Sequence, residues 1–236
     1  MEIHEILESV KANKISVNDA KKLLSLYSIE EIEGIAKIDI NRRKRKGIPE
    51  VVLAETKELE ETKKIIKATL KKTNSIIVSR IKKKDYPKII VFAKRLKMKI
   101  KTGKNSSSLL LFNKPIKFHG GKVGIITAGT SDIGVAEESR LMCEAMNCKC
   151  ITNYDVGIAG IQRIFPVLKE MIKEDVDCII VAAGMEGALA TIVSSMTDIP
   201  IIGIPTSVGY GYGQKGIAAL ASMLQSCSLG LSVVNI

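Results

Sequence analysis

Four turns in the second half of the chain carry residues that could bind phosphate or transfer protons. They span residues 128–132, 154–163, 184–189 and 205–216, and the first, third and fourth directly follow a short apolar run. Unbroken Val and Ile runs are typical of buried parallel strands, and ligands of open α/β sheets bind beyond the carboxyl ends of such strands. We therefore expect the four turns to lie along one sheet edge and to form a binding site.

The first turn is a candidate phosphate site. Gly129 allows close approach of a ligand to the backbone, and the hydroxyls of Thr130 and Ser131 can donate to phosphate oxygens. The turn also leads into a predicted helix, whose first N–H groups are free to bind an anion. Asp132 fits either this site or a plain N-cap.

The second turn contributes one carboxylate, Asp155, and one guanidinium, Arg163. Arg163 could bind a phosphate with two parallel hydrogen bonds. A surface ion pair is an equally good interpretation of this residue pair. This turn alone does not decide between them.

The third turn places Glu186 immediately after an apolar strand, among the small or flexible residues Gly184, Met185 and Gly187. Burial there would raise the pKa of the carboxyl group and suit it to proton transfer near neutral pH. The alternative is a glutamate at a helix start, where the helix dipole favours a negative charge.

The fourth turn contains Ser207, Tyr210 and Gly211 and is predicted to be a flexible loop that covers the ligand. Its GYGQKG sequence fits the dinucleotide-binding pattern G-x-G-x-x-G. The pattern normally opens the first helix of its fold and is followed about 20 residues later by an acidic residue. This one opens the last predicted helix and no acidic residue follows it, so we reject a dinucleotide fingerprint.

Cys227 is a candidate nucleophile because it lies where the last predicted helix gives way to the last strand. A thiol at a polar helix end is more accessible than Cys178, which lies within an apolar strand. A small, half-buried structural cysteine is the alternative. The chain has five cysteines and two histidines, His4 and His119, without zinc-site spacing. The odd cysteine count is typical of a reducing compartment.

Charge divides the chain into two regions. Residues 1–120 carry 29 Lys and Arg against 14 Asp and Glu, a net charge of +15, whereas residues 121–236 carry 7 against 11, a net charge of −4. A Pro- and Gly-containing segment at residues 113–122 separates them, which predicts a basic N-terminal domain at 1–115 and a catalytic domain at 120–236.

The basic region favours a solvated lysine-rich surface over a nucleic-acid or membrane site, since its lysines are spread along helices with few aromatic residues between them. The chain has no signal-peptide pattern and no membrane-length apolar run. We expect a cytoplasmic protein.

Strands alternate with helices beyond residue 120. The pattern predicts strands at 122–127, 149–153, 176–182, 200–205 and 230–235, with helices at 132–147, 160–173, 186–197 and 215–227. This alternation predicts right-handed βαβ crossovers and a three-layer αβα fold with a parallel sheet. In the first half, which we predict to be a smaller α/β domain, Ser16 and Ser28 have the spacing of helix N-caps to Asp19 and Glu31.

Five segments of the second half are similar to the family of pyridinium-3,5-biscarboxylic acid mononucleotide synthases. The segments are TAGTSD, YDVGIAGIQR, AAGMEGALATIV, IPTSVGYG and GIAALASMLQSCSLGLSVVNI. The first half adds a D-x-x-R-x-x-R-x-G-x-P-E-V run from Asp39 to Val51. The catalytic part resembles in turn the aminoimidazole ribonucleotide (AIR) carboxylase, or PurE-like, family and its flavodoxin-like fold.

The resemblance implies a carboxylase/hydrolase of nickel-pincer cofactor synthesis. Its substrates would be nicotinic acid adenine dinucleotide and CO2 or bicarbonate, with magnesium as cofactor and AMP among the products. It also implies a homo-oligomer, such as an octamer. Cys227 matches the family's nucleophile. Loss of the ring proton after carboxylation requires a base, for which we choose Glu186 first and Asp155 second.

Two features depart from the family pattern. Gln162 stands where a GIHR sequence would have a histidine, and Gln cannot titrate. Family members also continue beyond the segment that matches Val233 to Ile236. Two other functions stay open, namely an AIR carboxylase or carboxyaminoimidazole ribonucleotide mutase, and a nucleotide-binding protein without catalysis.

Overall fold

A computed structural model describes residues 3–24, 29–32, 36–39, 42 and 47–234. The chain divides into two compact units. The first comprises residues 1–100 and 110–115, and the second comprises residues 101–109 and 116–236. The predicted division into domains at 1–115 and 120–236 stays a prediction. No helix in the described ranges is both long and apolar enough to cross a bilayer.

The first unit is a small α/β structure. Its elements are α1 (Ile3–Lys11), α2 (Val17–Leu24), β1 (Ile29–Ile32), β2 (Ala36–Asp39), β3 (Val51–Leu53), α3 (Leu59–Lys72), β4 (Ser75–Ser79) and α4 (Tyr86–Arg95). β5 (Lys99–Thr102) and β6 (Leu109–Phe112) complete a four-stranded sheet of order β3-β4-β6-β5. β4 is buried along its whole length.

The first unit confirms the Ser16 cap, since the backbone N–H of Asp19 donates to Ser16 Oγ at 3.0 Å. The helix predicted after Ser28 is wrong. The structure has β1 there, paired antiparallel with β2. Ser28 lies outside the described residues, as does Arg45, the second arginine of the D-x-x-R-x-x-R-x-G-x-P-E-V run. The backbone of Glu31 lies opposite that of Lys37 in this hairpin, so strand pairing overrides the local capping pattern.

Strands and helices alternate through the second unit, as the sequence predicts. The strands are β7 (Lys122–Thr127), β8 (Lys149–Asn153), β9 (Cys178–Ala183), β10 (Ile201–Pro205) and β11 (Leu231–Val233). The helices are α5 (Ile133–Ala145), α6 (Ile164–Lys173), α7 (Ala188–Met196) and α8 (Ile217–Leu224). The sheet order is β11-β10-β9-β7-β8, with all pairings parallel. This is the flavodoxin-like, PurE-like arrangement, and it confirms the predicted fold class.

The sheet is buried on both faces. On one face, Ile179, Val181 and Ala183 pack with side chains of α6, α7 and α8. On the other, Ile180 and Ala182 pack with Ala136 of α5. Successive residues of β9 therefore point to opposite layers, which explains why the strand is an unbroken apolar run.

A buried ionic network fixes α5 within the second unit. Glu137 accepts hydrogen bonds from Arg140 Nε at 2.8 Å, from the backbone N–H of Lys104 at 2.9 Å and from the hydroxyl of Tyr154. Burial opposes ionisation of Glu137, but these hydrogen bonds outweigh it and lower the pKa of Glu137. Burial, with the hydrogen bond to Glu137, raises the pKa of Tyr154 to about 12. The network holds the residue that directly follows β8.

Candidate active site

The four predicted turns follow the carboxyl ends of β7, β8, β9 and β10. Because these strands are parallel, the turns share one edge of the sheet. The connections change direction between β7 and β9, which neighbour each other in the sheet. Ligands of doubly wound sheets bind at such a switch point, so turns 128–132 and 184–189 lie where a ligand is expected.

Asp132 ties three of these turns together. Its carboxylate accepts the backbone N–H of Gly129 at 2.9 Å and the hydroxyl of Thr206 at 2.6 Å, with a further hydrogen bond from the backbone of Gly184. Asp132 is only 3% exposed. Burial raises its pKa, and the three hydrogen bonds partly offset the shift. In this chain Asp132 is thus a buried link between strand ends, and it is not free to reach a ligand directly.

The third and fourth turns touch through their backbones. The N–H of Met185 donates to the carbonyl of Val208 at 2.8 Å. A Cβ on Gly184 would lie 2.2 Å from that same carbonyl oxygen, so only glycine fits there. Gly187 has a φ of +68°, and Met185, which is not a glycine, has a φ of +51°. Such left-handed residues cost free energy and concentrate at functional sites.

Arg163 forms hydrogen bonds within the turn to which it belongs. Its guanidinium donates to the carbonyls of Asp155 at 3.0 Å and Gly157 at 3.1 Å, and it lies 3.3 Å from the Asp155 carboxylate. The Asp155 backbone is left-handed, with a φ of +61°, and its N–H donates to Thr127 Oγ1 at 3.0 Å. The ion-pair interpretation of Arg163 therefore describes this conformation, and the phosphate role stays a prediction that needs the loop to open.

Several predicted binding residues are exposed at this edge. Thr130 and Ser131 present their hydroxyls in the single turn before α5. Ser207 and Gly211 are also exposed, and Tyr210 is 80% exposed. The fourth turn is therefore exposed at the sheet edge, and its role as a loop that covers the ligand stays a prediction.

Glu186 is exposed as well. The burial of this carboxylate that we expected is therefore absent in the single chain. The carboxylate could be desolvated only by a bound ligand or by another molecule that covers this edge.

Cys227 is the exposed cysteine, whereas the other four, all described, are partly buried. Burial raises the pKa of the Cys178 thiol, which makes that thiol a poor nucleophile. Thr191 of α7 donates to Ser226 Oγ at 3.1 Å, and the N–H of Ser228 donates to the same oxygen at 3.2 Å. Ser226 is thereby held against α7, and Ser228 is held to Ser226.

Cys227 lies at the opposite sheet edge from the four turns. α8 starts at the carboxyl edge and returns the chain to the amino edge, where β11 begins beside β10 at Ile201. An eight-residue helix spans about 12 Å. Cys227 lines a surface groove of about 410 Å³ between α7 and α8, which is also lined by Ala188, the first residue of α7. Within one chain, the structure does not bring Cys227 together with Glu186.

Three residues at the carboxyl edge of the sheet, where the four turns lie, carry functional groups that we did not select from the sequence. Thr127 and Thr206 are buried hydroxyls that hold the second and first turns. Both follow apolar strand residues directly, and that repeated position is the signal that could have identified them. Lys215 is an exposed cation with a left-handed backbone, φ +63°, in the fourth turn.

Among the described residues, no three His, Cys, Asp or Glu side chains come together as a metal site. The implied magnesium stays a prediction, and we assign no step to it.

Two family models match the chain in succession. Residues 29–102 match the LarB/PurE-like N-terminal domain, and residues 122–236 match the AIR carboxylase domain. An uncharacterised protein from Methanocaldococcus jannaschii is 48% identical over 240 residues, which cover 99% of this chain and 91% of that protein.

Proposed function

Since the chain belongs to the LarB family of PurE-like carboxylases, we propose that it converts nicotinic acid adenine dinucleotide, CO2 and water to pyridinium-3,5-biscarboxylic acid mononucleotide and AMP. The observation that carries this proposal is the succession of the two family domains in one chain. An AIR carboxylase domain alone would indicate only a carboxylase or mutase. The N-terminal domain and Cys227 favour the pyridine substrate.

The proposed chemistry begins with the Cys227 thiolate. A pyridinium ring is electron-poor and does not attack CO2. Addition of the thiolate to a ring carbon sends an electron pair towards the ring nitrogen and leaves an enamine, whose β-carbon is nucleophilic. This carbon forms the new bond to CO2. A base then removes the proton from the same carbon, and the thiolate leaves as the ring regains aromaticity.

Glu186 is the proposed base, with Asp155 as the second candidate. Glu186 is exposed in the single chain, so the bound pyridine must exclude water from it. Asp155 is paired with Arg163 and would have to leave that ion pair to act. Gln162 between them cannot titrate and supplies no proton.

Hydrolysis of the phosphoanhydride requires cations and donors near the phosphates. Thr130 and Ser131 supply exposed hydroxyls at the switch point. Lys215 is a candidate cation, because Arg163 is bonded to the carbonyls of its own turn. The flexible fourth turn, with Tyr210, would close over the dinucleotide.

We propose that the complete site requires a homo-oligomer. Cys227 and Glu186 lie at opposite sheet edges of one chain, so the Cys227 of one chain must serve the turns of another. α8 is apolar on nearly every side, yet Ile217 is 67% exposed and Leu224 is 66% exposed. A helix that is apolar all round is normally buried, which favours contact with another copy through this face. Replacement of Leu224 by Glu should dissociate the oligomer in light scattering and abolish carboxylation together.

Mass spectrometry tests the reaction directly. The protein is incubated with nicotinic acid adenine dinucleotide, bicarbonate and magnesium, and the expected products are a mononucleotide with two ring carboxylates and AMP. Cys227→Ser should form no dicarboxylated product while it still binds the dinucleotide, and Cys178→Ser is the matched control that should keep activity. Full carboxylation by Cys227→Ser would refute the covalent step.

The AIR carboxylase match to residues 122–236 also supports a second candidate, an AIR carboxylase or carboxyaminoimidazole ribonucleotide mutase. That reaction needs no thiol nucleophile. Turnover of the imidazole ribonucleotide by the Cys227→Ser variant, with no reaction of the pyridine dinucleotide in the wild type, would favour it. Dinucleotide binding without turnover of either substrate would favour a non-catalytic nucleotide-binding protein.

A further inference from the structure

The first unit has a surface groove of its own, remote in sequence from the four turns. The groove has a volume of about 340 Å³ and is lined by Lys63, Pro87, Lys88, Val91, Phe92 and Arg95. Lys63 belongs to α3 and the others to α4. Small-molecule sites usually have volumes from about 300 to 1,000 Å³. This groove is at the lower end of that range.

The floor of the groove is apolar. Pro87 and Val91 lie one helical turn apart on α4, and Phe92 is beside them. Val91 is 49% exposed and Phe92 is half-buried, so the floor is open to solvent. A flat apolar ring placed here would remove this surface from water and stack on Phe92.

The rim of the groove is cationic. Lys63 lies 2.7 Å from Glu60, and Lys88 lies 3.6 Å from Asp85. Arg95 is exposed and forms no ion pair within the described ranges. A free guanidinium suits a phosphate, which it can bind through two parallel hydrogen bonds.

The spacing of ring and cation limits the ligand. Phe92 and Arg95 are three residues apart on a helix, which puts their Cβ atoms about 5–6 Å from each other. Lys63 Nζ lies 5.9 Å from the centre of the Phe92 ring, near the limit for a cation–π contact, and must leave Glu60 to bind an added anion. One ligand could therefore contact the ring and the cations at the same time.

We propose that this groove binds a mononucleotide, with the base against Pro87, Val91 and Phe92 and the phosphate against Arg95. A mononucleotide carries one ring and one phosphate, which match the apolar floor and the guanidinium of Arg95. The proposal gives the basic N-terminal unit a ligand, and it does not depend on the carboxylation chemistry.

Photolabelling with 8-azidoadenosine 5′-monophosphate, followed by tryptic digestion and mass spectrometry, tests this site and locates it. In the full-length protein we expect label on peptides from residues 59–95. Arg95→Gln should lower that labelling at least fivefold, and Phe92→Leu should lower it about threefold because it keeps an apolar side chain but removes the ring. Lys94→Gln is the matched control, since Lys94 is the exposed neighbour on α4 that does not line the groove.

AMP should compete with the label, and inorganic phosphate at the same concentration should not. Equal competition by phosphate would overturn the role of the ring. Label found only outside residues 59–95, or equal losses in Arg95→Gln and Lys94→Gln, would overturn the site. Because the label is located by peptide, AMP bound at the sheet-edge turns is counted separately, and a failure here leaves the proposed reaction untouched.

Discussion

Replacing Thr206 by Val tests whether the buried Asp132 carboxylate holds the candidate site together. The substitution keeps the shape of the side chain and removes the hydroxyl that donates to Asp132 at 2.6 Å. A hydrogen bond to a charged group contributes about 1.5–3 kcal/mol. Asp132 is only 3% exposed, so water cannot replace the lost donor. We expect the free energy of unfolding to fall by about 2–3 kcal/mol at pH 7.

The loss should depend on pH in a defined direction. The pKa of Asp132 in the folded protein is raised by burial above its ordinary value of 3.8, and the Thr206 hydroxyl opposes that rise. A raised folded-state pKa means that the favourable contribution is present at low pH and is lost as pH rises through the folded pKa. Thr206→Val raises this pKa further. The difference between variant and wild type should therefore grow from about 1 kcal/mol at pH 4 to its full size at pH 7.

Urea denaturation followed by circular dichroism at the two pH values measures both quantities. Thr206→Ser is the matched control, because it keeps the hydroxyl and should lose only about 1 kcal/mol for the missing methyl group. In an Asp132→Asn background, Thr206→Val should cost less than about 1 kcal/mol, since the charge is gone. An equal cost at pH 4 and pH 7, or an unchanged cost in that background, would show that Asp132 is not an ionised link.

Three other perturbations test single contacts. Gly184→Ala should lower the free energy of unfolding by about 2 kcal/mol or more in urea denaturation, because its Cβ would lie 2.2 Å from the Val208 carbonyl; an unchanged value contradicts the close approach. Glu137→Gln should cost about 3 kcal/mol at pH 7, because Arg140 loses its ion pair with Glu137 and keeps only the one with Glu144. That cost should shrink as pH falls below 4.5, the ordinary pKa of a glutamate. The reason is that the pKa of Glu137 is lowered in the folded protein, so its stabilising contribution is lost as pH falls. A cost that stays constant in a pH series of denaturation curves would contradict this. Arg163→Met should speed hydrogen exchange of the amides at residues 156–160 about tenfold, as expected for a loss near 1.4 kcal/mol, and unchanged exchange would mean that Arg163 does not hold the turn.

The elements of the second unit were largely predictable because their periodicity is strong. The strands at 122–127 and 149–153 match the structure at both ends. Three of the four helices begin later than predicted because short 3-10 turns at Thr130–Asp132, Ile158–Arg163 and Gly211–Gly216 precede them. The fourth begins at Ala188, after the left-handed Gly187. Apolar periodicity cannot separate such a turn from the first turn of an α-helix.

The first unit was less predictable. The hairpin of β1 and β2 overrides a local capping pattern, and β5, a short and largely polar strand at Lys99–Thr102, was missed. Both depend on pairing with other strands. Each of these strands has only four residues, the shortest length at which alternation can identify a strand.

The sequence predicts where the candidate site lies on the sheet, but it does not predict which residues of the site contact each other. Because βα turns of a parallel sheet share one edge, the four turns could be placed together from sequence alone. The partnership of Asp132 with Thr206 spans 74 residues and leaves no local signal. The position of Cys227 was implied by the crossover rule, since a residue between a helix and the next strand lies at the amino edge. We selected Cys227 for the accessibility of its thiol, which carries no information about its distance from Glu186.

We propose that Cys227 of one chain acts on a pyridinium ring that is held by the turns of another chain. Subunit mixing tests it most directly. Cys227→Ala and Glu186→Gln variants are each assayed for dicarboxylated mononucleotide, then unfolded together, refolded as mixed oligomers and assayed again. Each variant alone should be inactive, and random mixing should restore activity at about one quarter of the sites, because a shared site can draw each intact residue from a different chain. Mixed oligomers that form but stay inactive would contradict the account.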